Sequence, residues 1–163
     1  MNKRIIFLDY DGVVNTPMWN ADGTSCTFNF PESGKVNNYQ AVQWISEFCE
    51  KFEFAIVVTS DWRQYPNWKE CLIKGGLRSG VEILGATPIG GKSRGWEIEQ
   101  WLDENPGVEY YYIIDDIDQV KTSQKSRFLQ TDPSVGFCMT DYIELRGKYL
   151  TEKAENNGLP INK

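Results

Sequence analysis

The amino-acid sequence predicts an α/β protein with one doubly wound, mostly parallel sheet. Apolar runs of four or five residues alternate along the chain with segments in which apolar residues recur every three or four positions. The first pattern is typical of strands buried on both faces, and the second of amphipathic helices. Alternating strands and helices favour a parallel sheet joined by right-handed crossovers and covered by helices. Residues 1–163 are expected to form one domain.

The individual elements follow from these patterns in chain order. Predicted strands occupy the apolar runs at residues 5–8, 54–58, 81–84 and 110–114, with a weaker fifth strand at 128–130. Predicted helices span residues 36–52, 66–77, a segment that opens at 90–95 and ends before 105–107, and about 141–156. Asp141 and Glu144 have the spacing of a capping box at the last helix. The first strand is expected to lie in the centre of the sheet.

The segment between the first strand and the first helix has a different composition. Residues 16–35 are rich in Asn, Gly, Pro and Ser, and residues 26–30 within them have the composition of a strand. This predicts a small hairpin or flap rather than a domain. The intervals between Asp9 and Thr59 and between Thr59 and Lys92 are too short to hold a second core, so no full cap domain is expected.

Composition excludes several classes of function. The net charge of −6 predicts no stable, non-specific binding of nucleic acid. The chain contains no histidine, so carboxylates are the natural acids, bases and nucleophiles. The four cysteines include no Cys-x-x-Cys pair, so neither a zinc site nor a disulfide framework is expected. No apolar run is long enough for a signal peptide or a membrane span, which predicts a cytoplasmic protein without membrane contact and leaves the oligomeric state open.

Acidic and hydroxyl side chains directly follow three of the predicted strands. Asp9 and Asp11 follow the first strand, Thr59 and Ser60 the second, and the acidic pair at 115–116 the fourth. Because the carboxyl ends of parallel strands meet at one edge of the sheet, these side chains are expected to converge. Carboxylates at positions i and i+2 lie on the same side of an extended chain and repel each other unless a cation or proton lies between them. Such oxygen ligands suit Mg²⁺.

Other interpretations of these segments stay open. The Asp11–Gly12 pair could mark a turn in which the acids are solvated caps. Residues 91–93, Gly-Lys-Ser, resemble the end of a P-loop, which would make the chain an NTPase or kinase. A P-loop, however, requires Gly where this sequence has Ala86, and it should follow the first strand.

The order of the motifs resembles the haloacid dehalogenase (HAD) superfamily, whose members form an aspartyl-phosphate on the first acid of motif I. Residues 9–15, Asp-Tyr-Asp-Gly-Val-Val-Asn, resemble motif I. Thr59 resembles motif II, Lys92 motif III, and residues 113–116, Ile-Ile-Asp-Asp, motif IV. A closer resemblance, to the compact branch that includes domains attached to bacterial RNA-repair proteins, is carried by residues 59–63, 95–102 and 129–136. The resemblance implies a Rossmann-like sheet with a small flap.

The resemblance also implies a role for each of these residues. Asp9 would be the nucleophile, and Asp11 would protonate the leaving oxygen and then activate water. The residues implied to bind the substrate phosphate are Thr59, with Ser60 as its neighbour or substitute, and Lys92. Arg63 and Arg94 are rival cations for the phosphate, because arginine suits bidentate phosphate contact, although either could form a surface ion pair instead. The residues implied to hold Mg²⁺ are Asp9, Asp11 through its backbone carbonyl, Asp116 and, behind them, Asp115.

The activity implied by the resemblance is magnesium-dependent hydrolysis of a phosphomonoester. An open crevice would admit a phosphate at the end of a polymer. Four aromatic residues could stack a base at its rim, or could be packing residues: Trp19, Phe28, Phe30 and Trp62. The terminal phosphate of a nucleotide or polynucleotide is therefore the expected substrate. A small phosphorylated metabolite is an alternative, and a HAD-like binding module without catalysis is an alternative of another class.

Overall fold

A computed structural model describes residues 3–157 of the protein. The strands in chain order are β1 (Lys3–Leu8), β2 (Met18–Trp19), β3 (Cys26–Thr27), β4 (Ala55–Val58), β5 (Ile83–Ala86), β6 (Val108–Asp115) and β7 (Phe128–Gln130). The helices are α1 (Tyr39–Phe52), α2 (Trp68–Lys74), α3 (Arg94–Glu104) and α4 (Met139–Asn156). Five strands form the central sheet in the order β5-β4-β1-β6-β7, and all of its pairings are parallel.

β1 is the middle strand of this sheet, as the sequence predicts. Residues 5–8 are fully buried, because their alternating side chains reach the apolar layers on both faces. Leu8 lies opposite Val58 of β4 on one side and opposite Ile114 of β6 on the other. The chain therefore leaves the centre of the sheet directly into motif I.

Helices cover both faces of the sheet, which confirms the predicted doubly wound α/β fold. On one face, a single core contains Phe48 of α1, Leu72 of α2 and Tyr149 of α4. On the other face, Trp101 of α3 packs edge-on against Phe7 of β1, with 5.4 Å between ring centroids. None of the helices in residues 3–157 combines the length and apolar character needed to cross a bilayer.

The segment between β1 and α1 contains the predicted hairpin. β2 and β3 pair in antiparallel fashion, with Met18 opposite Thr27. β3 ends at Thr27, whereas the strand-like composition continues to residue 30. After Thr27 the chain enters a loop in which Asn29 Nδ2 donates to the carbonyl of Lys35. Within residues 3–157, the buried apolar side chains form only the two cores on the faces of the central sheet, so that part of the chain contains no cap domain.

Three helices begin at positions that differ from the predicted ones. α2 spans Trp68–Lys74 rather than residues 66–77, and its first turn has no side-chain cap. At the other two helices a cap explains the difference. α1 begins at Tyr39 rather than at residue 36, because the side chain of Asn38 accepts a hydrogen bond from the first turn. α4 begins at Met139 rather than at residue 141. In its capping box, Cys138 is the first residue and Asp141 the last, since the Asp141 carboxylate accepts a 2.9 Å hydrogen bond from the Cys138 nitrogen. The predicted box placed Asp141 first.

Two further differences lie near the carboxyl edge of the sheet. β5 spans Ile83–Ala86 rather than residues 81–84, and because it ends two residues later than predicted, its last residue directly precedes Thr87. A 3-10 helix at Thr122–Arg127, which the sequence pattern does not indicate, leads into β7. Gln124 within it donates a 3.0 Å hydrogen bond to the carbonyl of Gly95 and so ties this segment to α3.

Candidate active site

The carboxyl ends of the five parallel strands bring five polar residues to one edge of the sheet. They are Asp9 after β1, Thr59 after β4, Thr87 after β5, Asp115 at the end of β6 and Thr131 after β7. All five are at most 5% exposed. Their backbones continue the strand ladders: the nitrogen of Asp9 donates to Ile114 at 3.0 Å, for example, and that of Thr59 to Leu8 at 2.9 Å. This is the edge where open α/β sheets bind ligands.

Three carboxylates meet at this edge and form the three-acid cluster. One oxygen each of Asp9, Asp115 and Asp116 lies within 4.8 Å of the others. Burial raises the pKa of Asp9 well above its ordinary value, and the nearby Asp115 carboxylate raises it further. Burial also raises the pKa of Asp115 to about 6 and raises the pKa of Asp116. These shifts reflect the cost of burying like charges together, which a bound cation would relieve.

The donor set of the three-acid cluster fits Mg²⁺. All of its ligand atoms are carboxylate oxygens, the hard ligands that Mg²⁺ prefers in proteins. Mg²⁺ is commonly bound through one or two carboxylates together with substrate oxygens and water. Asp9, Asp115 and Asp116 are therefore the side chains that could hold the ion.

A tight turn after β1 allows Asp116 to approach the cluster. Gly12 has a φ of +72°, and a Cβ at this position would lie 2.5 Å from Cγ of Asp116. The turn is closed by a 2.8 Å hydrogen bond from the Gly12 nitrogen to the carbonyl of Asn15, and the hydroxyl of Thr131 donates to the Gly12 carbonyl at 2.8 Å. Glycine is needed here for its backbone conformation and for the close approach of Asp116.

The carboxylate of Asp11 is held outside the three-acid cluster by two neutral donors. Asn15 Nδ2 donates to Asp11 Oδ1 at 2.6 Å, and Trp62 Nε1 donates to Asp11 Oδ2 at 3.0 Å. The indole of Trp62 is buried and packs edge-on against Tyr10. Asp11 itself is exposed. This carboxyl group is therefore fixed in direction yet accessible to a substrate.

Arg94, the first residue of α3, supplies a positive charge beside the acids. Its Nη2 lies 3.4 Å from Oδ1 of Asp9, and its Nε lies 3.2 Å from Oδ2 of Asp115. Its Nη1 is buried without a hydrogen-bond partner among residues 3–157. A guanidinium with a spare donor beside a candidate nucleophile can bind an oxygen of a phosphoryl group.

Thr59 and Ser60, both predicted to bind phosphate, differ in their surroundings. Thr59 Oγ1 is buried and has no hydrogen-bond partner within the described part of the chain. A buried hydroxyl in this state is unfavourable unless a ligand or water satisfies it. Ser60 Oγ, by contrast, accepts a 3.4 Å hydrogen bond from the backbone nitrogen of Trp62 in the turn that follows β4.

Three of the four predicted motifs, at residues 9–15, 59 and 113–116, thus lie at one edge of the sheet, and comparison with known protein families identifies the family of the chain. The model of the family described as the HAD domain in Swiss Army Knife RNA repair proteins matches residues 5–142. The chain belongs to this HAD family. No curated protein matches it. Family membership confirms the resemblance to the HAD superfamily and supports a HAD-type phosphatase at the level of class.

Arg63 of the HAD domain binds the protein's own backbone around the site. Its Nε donates to the carbonyl of Thr87 at 3.1 Å, and its Nη1 donates to the carbonyl of Thr59. Its Nη2 forms a 2.7 Å ion pair with Glu97 of α3. These contacts join the ends of β4 and β5 to α3, and none of the hydrogen bonds of Arg63 within residues 3–157 is to the three-acid cluster.

Lys92 lies on the surface of the HAD domain, and the ion pairs of Asp9 and Asp115 within residues 3–157 are formed by another residue. Its Nζ is 5.8 Å from the ring centroid of Trp96, and Lys121 Nζ lies 3.5 Å from the same centroid. The cation that contacts Asp9 is instead Arg94, two positions further along the chain. The role of Lys92 as a phosphate ligand stays a prediction.

Three residues of the site have partners that sequence reasoning missed. Asn15 orients Asp11 and lies within motif I, so its position in the motif could have indicated that it belongs to the site. Glu97 pairs with Arg63 across elements that are distant in the sequence, and no local pattern indicates that pair. Trp62, which donates to Asp11, is buried at 4% exposure, and this agrees with the packing role that the sequence leaves open beside stacking at the rim.

Proposed function

We propose that this HAD domain is a magnesium-dependent phosphomonoester hydrolase that removes the terminal phosphate of a nucleotide or nucleic acid. The observation that carries the proposal is the different environment of two acids that are two residues apart. Asp9 is buried in the three-acid cluster, where it can act as a nucleophile. Asp11 is exposed and oriented by Asn15 and Trp62, so it can exchange a proton with a substrate or with water.

The three-acid cluster supports a role for Mg²⁺. Asp9, Asp115 and Asp116 would hold the ion, and the family resemblance adds the backbone carbonyl of Asp11. When bound, Mg²⁺ supplies positive charge that neutralises both the crowded carboxylates and the phosphoryl oxygens. The raised pKa values of Asp9 and Asp115 support this assignment, because they reflect buried carboxylates that lack sufficient compensation.

The side chains of Asp9 and Asp11 would carry out two successive displacements at phosphorus. An oxygen of Asp9 attacks phosphorus, the bond from phosphorus to the ester oxygen breaks, and protonated Asp11 gives its proton to that oxygen. The intermediate is an aspartyl-phosphate on Asp9. Asp11 then takes a proton from the water that attacks phosphorus, which releases inorganic phosphate and restores both carboxyl groups.

Two buried donors that have no hydrogen-bond partner among residues 3–157 support the binding of phosphoryl oxygens. They are Nη1 of Arg94 and Oγ1 of Thr59, which come from α3 and from the end of β4. Leaving such a donor unsatisfied costs about 1–3 kcal/mol, so a phosphate that accepts from both would be bound favourably. The guanidinium adds charge-assisted hydrogen bonding to this interaction.

A nucleic-acid end is favoured as substrate for two reasons. The description of the family refers to RNA repair proteins. Among residues 3–157, the segment between β1 and α1 contains only a two-stranded hairpin, a 3-10 helix at Pro31–Ser33 and their loops. So small a covering would let a polymer end approach the site. The net charge of −6 predicts that the polymer is held weakly and released readily. A small phosphorylated metabolite is the alternative substrate.

The test is magnesium-dependent hydrolysis of oligonucleotides that carry a 5′- or 3′-phosphate. Asp9→Asn is expected to abolish turnover, and Asp11→Asn to lower kcat about 10²–10⁴-fold, the usual effect of losing a general acid–base group. Both variants should keep the circular dichroism spectrum of the wild type. Asp103→Asn, which removes an exposed acid near the far end of α3, is the matched control and should retain full activity.

Near-native turnover by purified Asp9→Asn would contradict the covalent mechanism. Failure of the wild type to hydrolyse any phosphomonoester would contradict the proposal as a whole and would favour a binding module that lacks catalysis.

A further inference from the structure

A pocket of about 480 Å³ opens beside Asp11. Its lining includes Asp11, Phe30, Pro31, Asp61, Trp62 and Tyr65. Its volume lies in the range of roughly 300–1,000 Å³ that is typical of small-molecule sites. Since Asp11 is the proposed proton donor to the leaving oxygen, the leaving group must lie next to Asp11. The inference drawn from this pocket therefore rests on the proposed function.

Two exposed aromatic side chains form walls of the pocket. Phe30 is 65% exposed and Tyr65 is 44% exposed. The backbone around Phe30 is fixed by neighbouring side chains: Ser33 Oγ donates to the Phe30 carbonyl at 2.6 Å, and Asn67 Nδ2 donates to the Pro31 carbonyl at 2.8 Å. A ring on a fixed backbone can stack on a planar group with little loss of conformational freedom.

The proton donor and the aromatic wall share one supporting residue. Asn15 Nδ2 donates to Asp11 Oδ1 at 2.6 Å and to the carbonyl of Asn29 at 3.0 Å. The same amide thus orients the carboxyl group of Asp11 and the chain segment that carries Phe30. A planar group stacked on Phe30 would therefore lie at a defined position relative to the oxygen that Asp11 protonates.

The charges of the pocket restrict what can occupy it. Asp11 and Asp61 are carboxylates, and within residues 3–157 no lysine or arginine lines the pocket. Arg63, whose Nη1 lies 3.4 Å from Asp61 Oδ1, is buried outside the lining. A second phosphate in this pocket would be repelled. Hydroxyl groups of a sugar and amino groups of a base, on the other hand, can donate hydrogen bonds to carboxylates. Aromatic rings beside acceptor-only groups suit an uncharged nucleoside.

We infer that this pocket receives the nucleoside from which the phosphoryl group is removed. Its base stacks against Phe30 and Tyr65, and its free hydroxyl groups lie towards Asp61. When the bond from phosphorus to the ester oxygen breaks, the electron pair stays on that oxygen, which takes the proton of Asp11 and leaves as a neutral alcohol. The preferred substrate is then a nucleoside monophosphate or an unpaired terminal nucleotide, and not a sugar phosphate or a nucleoside diphosphate.

The first test measures the contribution of the base. It compares kcat/KM for adenosine 5′- and 3′-monophosphate with kcat/KM for ribose 5-phosphate, which offers a phosphate and a sugar but no base. The wild type is expected to prefer a nucleotide. Phe30→Ala and Tyr65→Ala should each lower that preference about tenfold, the order of effect that loss of one stacking ring produces. Trp19→Ala removes an aromatic side chain that is 59% exposed in β2, outside the pocket lining, and should leave the preference unchanged.

The second test measures the contribution of charge. Asp61→Asn is expected to raise kcat/KM for adenosine diphosphate relative to adenosine monophosphate several-fold, because it removes a carboxylate that repels the charged leaving group. Asp103→Asn, an exposed acid outside the pocket lining, is the matched control and should not change this ratio.

The outcomes separate this inference from the proposed function. Equal kcat/KM for ribose 5-phosphate and both nucleotides in the wild type would overturn the pocket assignment, as would an equal loss on all three substrates in Phe30→Ala. The proposed function would stand in either case if turnover still depended on Asp9. Absence of turnover on every substrate would overturn the proposed function and the pocket assignment with it.

Discussion

At the residue scale, the site places one guanidinium beside three closely spaced carboxylates. Burial and Asp115 raise the pKa of Asp9, while Arg94 lowers it, and the net direction is upward. Arg94 therefore reduces the repulsion within the cluster without cancelling it. Strongly perturbed carboxyl groups in contact with a specific charge partner are typical of functional sites. A bound cation would relieve the repulsion between carboxylates that Arg94 leaves uncompensated.

Arg94 is expected to matter more for catalysis than Lys92. Arg94→Ala should lower kcat/KM for a phosphomonoester about 10²-fold, because its guanidinium contacts Asp9 and Asp115 and offers a spare donor. Lys92→Ala, the matched control, should change kcat/KM less than about threefold because its Nζ lies beside Trp96. Arg94→Lys keeps the charge but loses the planar fork and should recover only part of the activity.

Steady-state kinetics with a thermal melt of each variant would check this prediction. A large loss in Lys92→Ala with little change in Arg94→Ala would return the phosphate-binding role to Lys92. The sequence indicates a basic residue at the start of the third helix but cannot choose between two that are so close together. Arg94 and Lys92 differ in position because α3 begins at Arg94. The Gly- and Ser-rich segment before the helix does not specify this starting residue.

At the element scale, the turn after β1 is the connection on which the cluster depends. Gly12→Ala is expected to lower the free energy of unfolding by about 2–4 kcal/mol, through a positive φ and overlap with the side chain of Asp116. Displacement of Asp116 should also weaken the response to Mg²⁺. Gly23→Ala is the matched control. Gly23 has a φ of +70°, but no atom of the described residues lies within 4 Å of a Cβ added there, so the free energy of unfolding should fall by only about 1–2 kcal/mol.

Urea unfolding of both glycine variants measures these effects. Equal losses in Gly12→Ala and Gly23→Ala would mean that backbone strain alone sets the cost, which would contradict the close packing of Asp116 against the turn.

The ends of β4, β5 and α3 are joined by Arg63, and this contact gives a second prediction at the same scale. Arg63→Lys is expected to lower the free energy of unfolding by about 2 kcal/mol, because lysine cannot reproduce the bonds to Thr59, Thr87 and Glu97. Arg78→Lys is the control, because Arg78 also forms ion pairs but is more exposed. It should change the free energy of unfolding by less than about 1 kcal/mol. Chemical denaturation measures both. An unchanged stability with a raised KM for phosphomonoesters would instead support Arg63 as a phosphate ligand.

The elements that the sequence predicts well are those whose signal is local. The central strands carry apolar residues on both faces, and those at 5–8 are fully buried as expected. Helix starts are less predictable because a cap depends on a single side-chain hydrogen bond, such as that of Asn38 at α1. The 3-10 helix before β7 has no local signal, since its Gln124 is held by Gly95 of another element.

At the scale of the whole molecule, the site follows from the order of the strands. β1 lies between β4 and β6, so the residues that follow these three strands are brought together at one edge. This convergence is predictable from the alternation of strands and helices alone. The side-chain contacts that refine the site are not, because they join distant positions: Trp62 and Asp11 are 51 residues apart, and Arg63 and Glu97 are 34 apart.

The same architecture predicts that Mg²⁺ stabilises the whole fold. The ligands of the three-acid cluster come from the residue after β1, from the last residue of β6 and from the residue after β6, and they come together only in the native state. Mg²⁺ at about 100 times its Kd should therefore add about 2.7 kcal/mol to the free energy of unfolding. For a domain of this size, that corresponds to a rise in Tm of roughly 5–10 °C, which differential scanning calorimetry would measure.

Substitution of one acid should separate ion binding from the repulsion that the ion relieves. Asp116→Asn is expected to lose most of the Mg²⁺-dependent rise in Tm, yet in EDTA it should melt at or above the wild-type temperature, because one of three mutually repelling carboxylates is gone. Asp118→Asn is the matched control, since Asp118 pairs with Lys125 outside the cluster, and it should keep the full rise. If Asp116→Asn kept the full rise while Asp118→Asn lost it, the ion would bind at the surface loop, and the buried acids would need another source of compensating charge.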